Sequence, residues 1–354
     1  MKTAFRILSL VFLLLFFTSC FQHKAALTEV SDLSSCFKIR CDTDSVCTIV
    51  TISPDGSCAD SLTFTGTKNR IVCMSSTYVA SLSALGCDST VCAVSGVRYI
   101  SAPEIRRRFA DGLVADLGVD VNADFERLVS MNPDLVVMYS IPGSGDALKS
   151  RLGEFGIPVL VLYDYLDNSP LARASYIKVF GALTGRMAQA DSIFDGVCSR
   201  YHELADAVAE SGHETAKVLM NVPYADAWYV PGGDNYMSRL VRDAGGEILG
   251  SVPGMSESSI ISVEKALELS RSAQFWLHTG NYESKEALSE SNELSLIEIP
   301  QIYNNTLRVN DGGGNDYWES GVVHPDWILH DLVKIFHPSV LRDTLGFYYY
   351  REVR

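Results

Sequence analysis

The sequence predicts an α/β protein: two Rossmann-like lobes with parallel sheets, joined by one long helix and preceded by a β-hairpin extension. Three observations predict it. From Arg70, short apolar runs of strand length alternate with helical segments, the pattern of a parallel sheet covered on both faces. The same alternation resumes after residue 213. Between the two stretches, one apolar stripe keeps helical spacing from Tyr176 to Val208.

The N-terminus carries an export signal. Lys2 and Arg6 precede the apolar run Ile7–Phe17, and Thr18-Ser19-Cys20 closes it. The run is short for a membrane span, and it resembles a bacterial lipobox with Phe17 in the usual leucine place. That resemblance implies lipidation of the Cys20 thiol and cleavage before it. A lipid anchor in the cell envelope, facing the periplasm, is expected. The formal net charge of −14 over 354 residues argues against nucleic acid and anionic membrane surfaces as partners.

Five segments follow: 1–20 signal peptide, 21–66 tether and hairpin, 67–166 first lobe, 167–212 interlobe helix and 213–354 second lobe. In the extension, Phe37–Cys41 and Val46–Ile52 read as strands around a turn at 42–45, with Ser53-Pro54-Asp55-Gly56 closing the unit. Cys36, Cys41, Cys47 and Cys58 crowd here. Export permits disulfides among them, and the spacing leaves the pairing open.

In the first lobe, strands are expected at 71–74, 91–94, 135–138 and 159–162, and helices at 78–85, 125–131 and 146–155. Gly86, Asn132-Pro133 and Gly156 stop the helices. Ser169 and Pro170 read as N-cap and first residue of the long helix, ~40 residues or roughly 60 Å. In the second lobe, strands are expected at 218–222, 274–278 and 307–310. Helices are expected at 236–244, 264–271 and 327–336.

Arg70 to Thr77, Leu82 to Gly86, Asn122 to Val129 leading into Asn132-Pro133-Asp134-Leu135-Val136-Val137, and Ser262 to Leu267 resemble stretches of the substrate-binding proteins of ABC importers for iron chelates, haem and vitamin B12, in a Bacteroidetes-type form. The likeness spans about residues 68 to 340. It implies a monomer that captures an iron–siderophore, haem or corrinoid and delivers it to importer membrane subunits. It also implies docking glutamates at Glu126 and Glu264. The first loop departs from the family, with Ser75 and Tyr78 near the places of its usual proline and acidic residue.

In such a fold, ligands sit beyond the C-terminal ends of the strands. The loops there supply Ser76, Tyr78, Arg98, Tyr99, Tyr139, Tyr224, Trp228, Tyr229, Tyr282 and Trp318 as candidate ligand residues. Aromatic walls suit a large flat ligand, and Arg98 suits a carboxylate or phosphate. For each aromatic, core packing is the competing account. No resident cofactor is implied. The histidines are too scattered for a three-histidine metal site; a haem iron held by Tyr78 or Tyr99 is left open. The alternative is an envelope-anchored enzyme or chelatase-like protein. Against it, no GxSxG elbow, Walker loop or strand–GxGxxG–helix unit occurs.

Overall fold

The computed structural model describes residues 33–354, apart from 43–45, 58, 120–123, 140–144, 281, 292–293 and 343. Cys20 and Cys58 lie outside the described residues.

The extension is a three-stranded antiparallel sheet of β1 (Phe37–Cys41), β2 (Val46–Ile52) and β3 (Ala59–Thr65). The hairpin is as expected; the third strand was not. Cys41 and Cys47 face each other across β1 and β2 and form a disulfide, while Cys36 is a buried free thiol.

The first lobe has five parallel strands in the order β6-β5-β4-β7-β8. They are β4 (Ile71–Cys73), β5 (Val91–Val94), β6 (Ala115–Asp116), β7 (Leu135–Tyr139) and β8 (Val159–Leu162). Helices α1 (Ser76–Ala84), α2 (Pro103–Ala110), α3 (Phe125–Met131) and α4 (Gly145–Glu154) connect them. The apolar runs are buried on both faces, as a sheet covered on both sides requires.

The edge strand β8 leaves backbone groups facing outward, and the extension takes them up. Asp60 Oδ2 accepts from the Val161 N–H at 2.9 Å, and Thr51 Oγ1 donates to the Val161 carbonyl at 2.6 Å. Lys149 pairs with the other Asp60 oxygen. Side chains thus satisfy an edge without prolonging the sheet.

The expected long helix is three. They are α5 (Pro170–Ala174), capped by Ser169 as expected, α6 (Ile177–Thr184) and α7 (Met187–Glu210). Gly185, at φ +69°, stops α6 in a left-handed turn that a side chain would strain. The apolar spacing continues across that turn, which hid the break. Helix α7 alone has 24 residues, about 36 Å.

The second lobe is also a five-stranded, largely parallel sheet, with a different order, β11-β9-β13-β14-β15. Its strands are β9 (Ala216–Met220), β11 (Gly246–Ile248), β13 (Phe275–Leu277), β14 (Gln301–Asn304) and β15 (Arg351–Glu352), the last antiparallel to β14. Helices α8 (Tyr236–Asp243), α9 (Val263–Ser270) and α10 (Lys285–Ser289) precede β14. Helices α11 (Ser320–Val323) and α12 (Pro325–Phe336) follow it. A two-stranded ribbon, β10 (Trp228–Val230) with β12 (Ser259–Ile261), stands apart. The strand expected at 307–310 is misplaced: the last parallel strand is Gln301–Asn304, and 307–310 begins a crossing to the other lobe. Among the described residues, no helix is long and apolar enough to cross a membrane.

Asp60→Ala should leave the Val161 N–H buried without an acceptor. A loss of roughly 1–3 kcal/mol in denaturant-induced unfolding is expected, against little change for Asp55→Ala in the exposed turn.

Candidate functional site

The chain reverses direction across each sheet at its first strand, which puts β4 beside β7 and β9 beside β13. The loops beyond these pairs are where an open α/β sheet takes ligand. In the second lobe they are strained. Asn221, Ala225 and His278 have φ of 70°, 50° and 60°. Such left-handed residues persist where surrounding contacts hold them. Here Asn221 Nδ2 donates to the Tyr229 carbonyl at 2.8 Å, and the Asn221 carbonyl accepts from Trp276 Nε1 at 2.8 Å.

Eight of the ten sequence-derived ligand residues are exposed or half-buried. Arg98 and Tyr99 follow β5, with the guanidinium 4.5 Å from the Tyr99 ring centroid. No ion pair engages Arg98 among the described residues. Tyr139 ends β7 and meets Tyr165 edge-on at 6.2 Å. Tyr224, Tyr229 and Trp318 are exposed on the second lobe, and Trp318 is half-open. Ser76 is half-buried in the first turn of α1, and Tyr282 is half-buried against the second-lobe core.

Tyr78 and Trp228 lie elsewhere. Trp228 is fully enclosed, donates Nε1 to the Met220 carbonyl at 2.8 Å and stacks near Trp276. On the short ribbon its neighbour Tyr229 points out, so alternation puts Trp228 in the core. Tyr78 is equally closed in; its hydroxyl donates to Asp164 Oδ1 at 3.2 Å. Neither indole nor phenol is open to a cleft, and the Tyr78 oxygen is not available to an iron.

Three residues escaped sequence reading. Burial lifts the Asp164 carboxyl above the usual range, against the pull of Arg173. Arg173 donates to the carbonyls of Asp167 and Tyr165, both at 2.6 Å, and its guanidinium lies 4.4 Å from the ring of Tyr236 in the second lobe. It thereby fixes the third, Tyr165, beyond β8. The available signal was the position of Tyr163-Asp164-Tyr165 directly after the strand ending at Leu162.

Two further sets of contacts tie the lobes. Asn168 Nδ2 donates to Ser256 Oγ at 2.6 Å. Glu319 accepts from the Ser101 and Ala102 N–H groups at 2.7 and 2.8 Å. Beside Glu319 lies a groove of about 610 Å³ lined by Ala80, Ala84, Pro103, Val309 and Trp327 among others. None of the ten residues lines it, and its carboxylates Asp88, Glu104 and Asp316 already have hydrogen-bond or ionic partners. The aromatic strand ends are therefore the stronger candidate. No cluster among the described residues could hold a bare metal ion.

Glu126 and Glu264, for which docking was expected, are exposed and occupy equivalent places. Each is the second residue of its helix, after Asp124 as cap of α3 and Ser262 as cap of α9.

Two lobes, each built on a largely parallel five-stranded sheet, make up the body of the fold. The chain belongs to the periplasmic binding protein family, whose model matches residues 71–298. It is 24% identical over 283 residues to an uncharacterized lipoprotein of Methanocaldococcus jannaschii, covering 77% of this chain and 66% of that one. Its fold resembles a TroA-like periplasmic binding protein, FepB, from Veillonella parvula: TM-score 0.60 at 14% identity, over 83% of this chain and 97% of the other. It also resembles a periplasmic heme binding protein from Pseudomonas aeruginosa: TM-score 0.59 at 18% identity, over 81% and 98%.

His278 supplies a test of the second-lobe loop. Its Nε2 lies 2.7 Å from the Tyr350 hydroxyl, and burial pushes its pKa down to about 4. The folded state favours the neutral ring. Its stabilising contribution is present above the ordinary value of 6.5 and is lost as pH falls through about 4. His278→Asn tolerates the left-handed backbone. The stability difference between wild type and this variant should shrink as pH falls from 7 to 4, measured by urea unfolding.

Proposed function

We propose that this chain is the extracytoplasmic, lipid-anchored solute receptor of an ABC importer. As a monomer tethered through Cys20, it takes an iron–siderophore, haem or corrinoid between its lobes and hands it to the importer's membrane subunits. The observation that carries this is the set of accessible aromatic rings at the strand ends of both lobes: Tyr99, Tyr139 and Tyr165 on one, Tyr224, Tyr229 and Trp318 on the other. Flat rings recognise a broad, partly apolar chelate through stacking and burial, and Arg98 offers a charge for an acidic group. Family membership supports the role. The solved neighbours named for heme binding and for Fe3+–Desferal binding support the ligand class.

The test begins with mass spectrometry of whatever co-purifies with native protein, followed by titration of haemin, ferric desferrioxamine and cobalamin. Trp318→Ala and Tyr99→Ala should each weaken binding of the recovered compound by about 1–3 kcal/mol, as loss of a buried aromatic contact would. Tyr224→Phe, which keeps the ring, should not. Unchanged affinity in both alanine variants would remove the cleft assignment.

Docking is proposed at Glu126 and Glu264. A helix-terminal carboxylate contributes only ~0.3–1 kcal/mol to its own helix. The double variant Glu126→Ala, Glu264→Ala should therefore fold and bind ligand normally. It should lose most importer-dependent uptake, and the gap to wild type should be salt-sensitive, narrowing as salt screens the wild-type charge contacts. Normal uptake would rule docking out.

A further inference from the structure

Helix α2 carries three arginines in a row, and the acids around it serve only one of them. Arg107 donates to both oxygens of Glu104 at 2.9 and 2.6 Å and to Asp111 at 2.7 Å. Arg108 donates to the Ser89 carbonyl at 3.2 Å. Arg106 has neither a side-chain hydrogen bond nor an ion pair among the described residues, and Arg98 has only the ring of Tyr99 at 4.5 Å. These two arginines line one hollow of about 520 Å³ with Val97, Pro103 and Phe109. Pro103, Arg106 and Phe109 recur every third residue and so share one face of α2. That face meets Val97 and Arg98 in the short turn Val97–Tyr99 after β5. Both guanidinium-bearing residues are exposed, and the rest of the lining is apolar.

The turn itself is held from the second lobe. Asn310 Nδ2 donates to the Ile100 carbonyl at 2.8 Å, and a Cβ on Gly312 would lie 2.2 Å from the Arg98 carbonyl oxygen. The crossing segment therefore rests on the backbone of the residue whose side chain borders both Tyr99 and the hollow.

We propose that Arg98 and Arg106 form an anion subsite beside Tyr99, and that the solute carries a carboxylate arm which this hollow receives. As a statement about the solute, this rests on the reading of the strand-end aromatic rings as the cleft; as a statement about the hollow, it does not.

Two cations lining one hollow repel each other, and an anion between them turns that repulsion into attraction. The guanidinium fork matches the two oxygens of a carboxylate, and the apolar walls take the carbon chain that bears it. The volume lies within the range of small-molecule sites. The setting makes the pair stand out: the chain has 43 acidic residues against 29 lysines and arginines, so unpaired cations facing one hollow are not a product of composition. The inference also orders the ligand classes. A flat macrocycle with free carboxylates fits both the rings and the arginines. A corrinoid whose side arms are neutral amides leaves the arginines unpaired, and a cationic ferric hydroxamate is repelled by them.

Two measurements on the full-length, ligand-free protein test this. The first titrates isophthalate, a small aromatic dicarboxylate, while following the arginine Nε–Hε resonances. The Arg98 and Arg106 signals should shift and saturate, and Arg106→Gln should weaken the response read at Arg98 by about tenfold, the loss of one charge-assisted contact. The second compares haemin with haemin dimethyl ester, the same ring with its carboxylates blocked, by the change in haem absorbance. Wild type should bind haemin about tenfold or more tightly than the ester, and the double variant Arg98→Gln, Arg106→Gln should bind the two alike. Absence of saturable isophthalate shifts, equal wild-type affinity for haemin and ester, or a gap that persists in the double variant would each overturn the proposal. If isophthalate saturates the two arginines but neither haemin nor its ester binds, the flat-ligand reading of the cleft fails and the anion subsite stands.

Discussion

One helix serves two cores. Helix α7 contributes Ala190 and Phe194 to the first-lobe core and Val197, Tyr201 and Val208 to the second. Cys198 packs against both. Neither lobe can rotate far about this helix without pulling a side chain from its core, at a cost of about 1.5–3 kcal/mol for each large residue exposed. The strand-end loops are therefore held in a nearly fixed relation. Outside that frame the lobes are tied by lighter polar contacts, such as Asn168 with Ser256 and Glu319 with the Ser101 and Ala102 N–H groups.

That division of labour is visible in the chemistry. The cores are apolar and continuous, whereas the ties between lobes near the candidate site are polar: amide to hydroxyl, carboxylate to backbone N–H, guanidinium to carbonyl and ring. Polar ties exchange readily with water and cost little net free energy to break. A binding protein needs this combination, because a rigid frame keeps the walls in register while breakable ties admit the solute.

The lobes were legible because buried parallel strands write themselves as short apolar runs, and caps such as Ser169, Asp124 and Ser262 mark helix starts by a local hydrogen bond. The helix break at Gly185 was not, because the apolar spacing continues through it. Site residues divide by length of element. On long strands and loops, exposure followed position, as for Tyr99, Tyr139 and Trp318. On the three-residue strand Trp228–Val230, a single step decides inside from outside, and Trp228 went in while Tyr229 stayed out. Glu319 and Arg173 act through partners more than 60 residues away in sequence, and local pattern holds no trace of such pairs.

The sheet that covers β8 has a consequence for how the chain is made. Exported chains emerge N-terminus first, and β1 to β3 pair only with near neighbours, a topology that forms quickly. Val161 lies about a hundred residues later. Asp60 and Thr51 therefore precede in the chain the edge that they cover in the folded protein. An edge strand left bare is a template for pairing with other chains, and covering it from within the same chain removes that template.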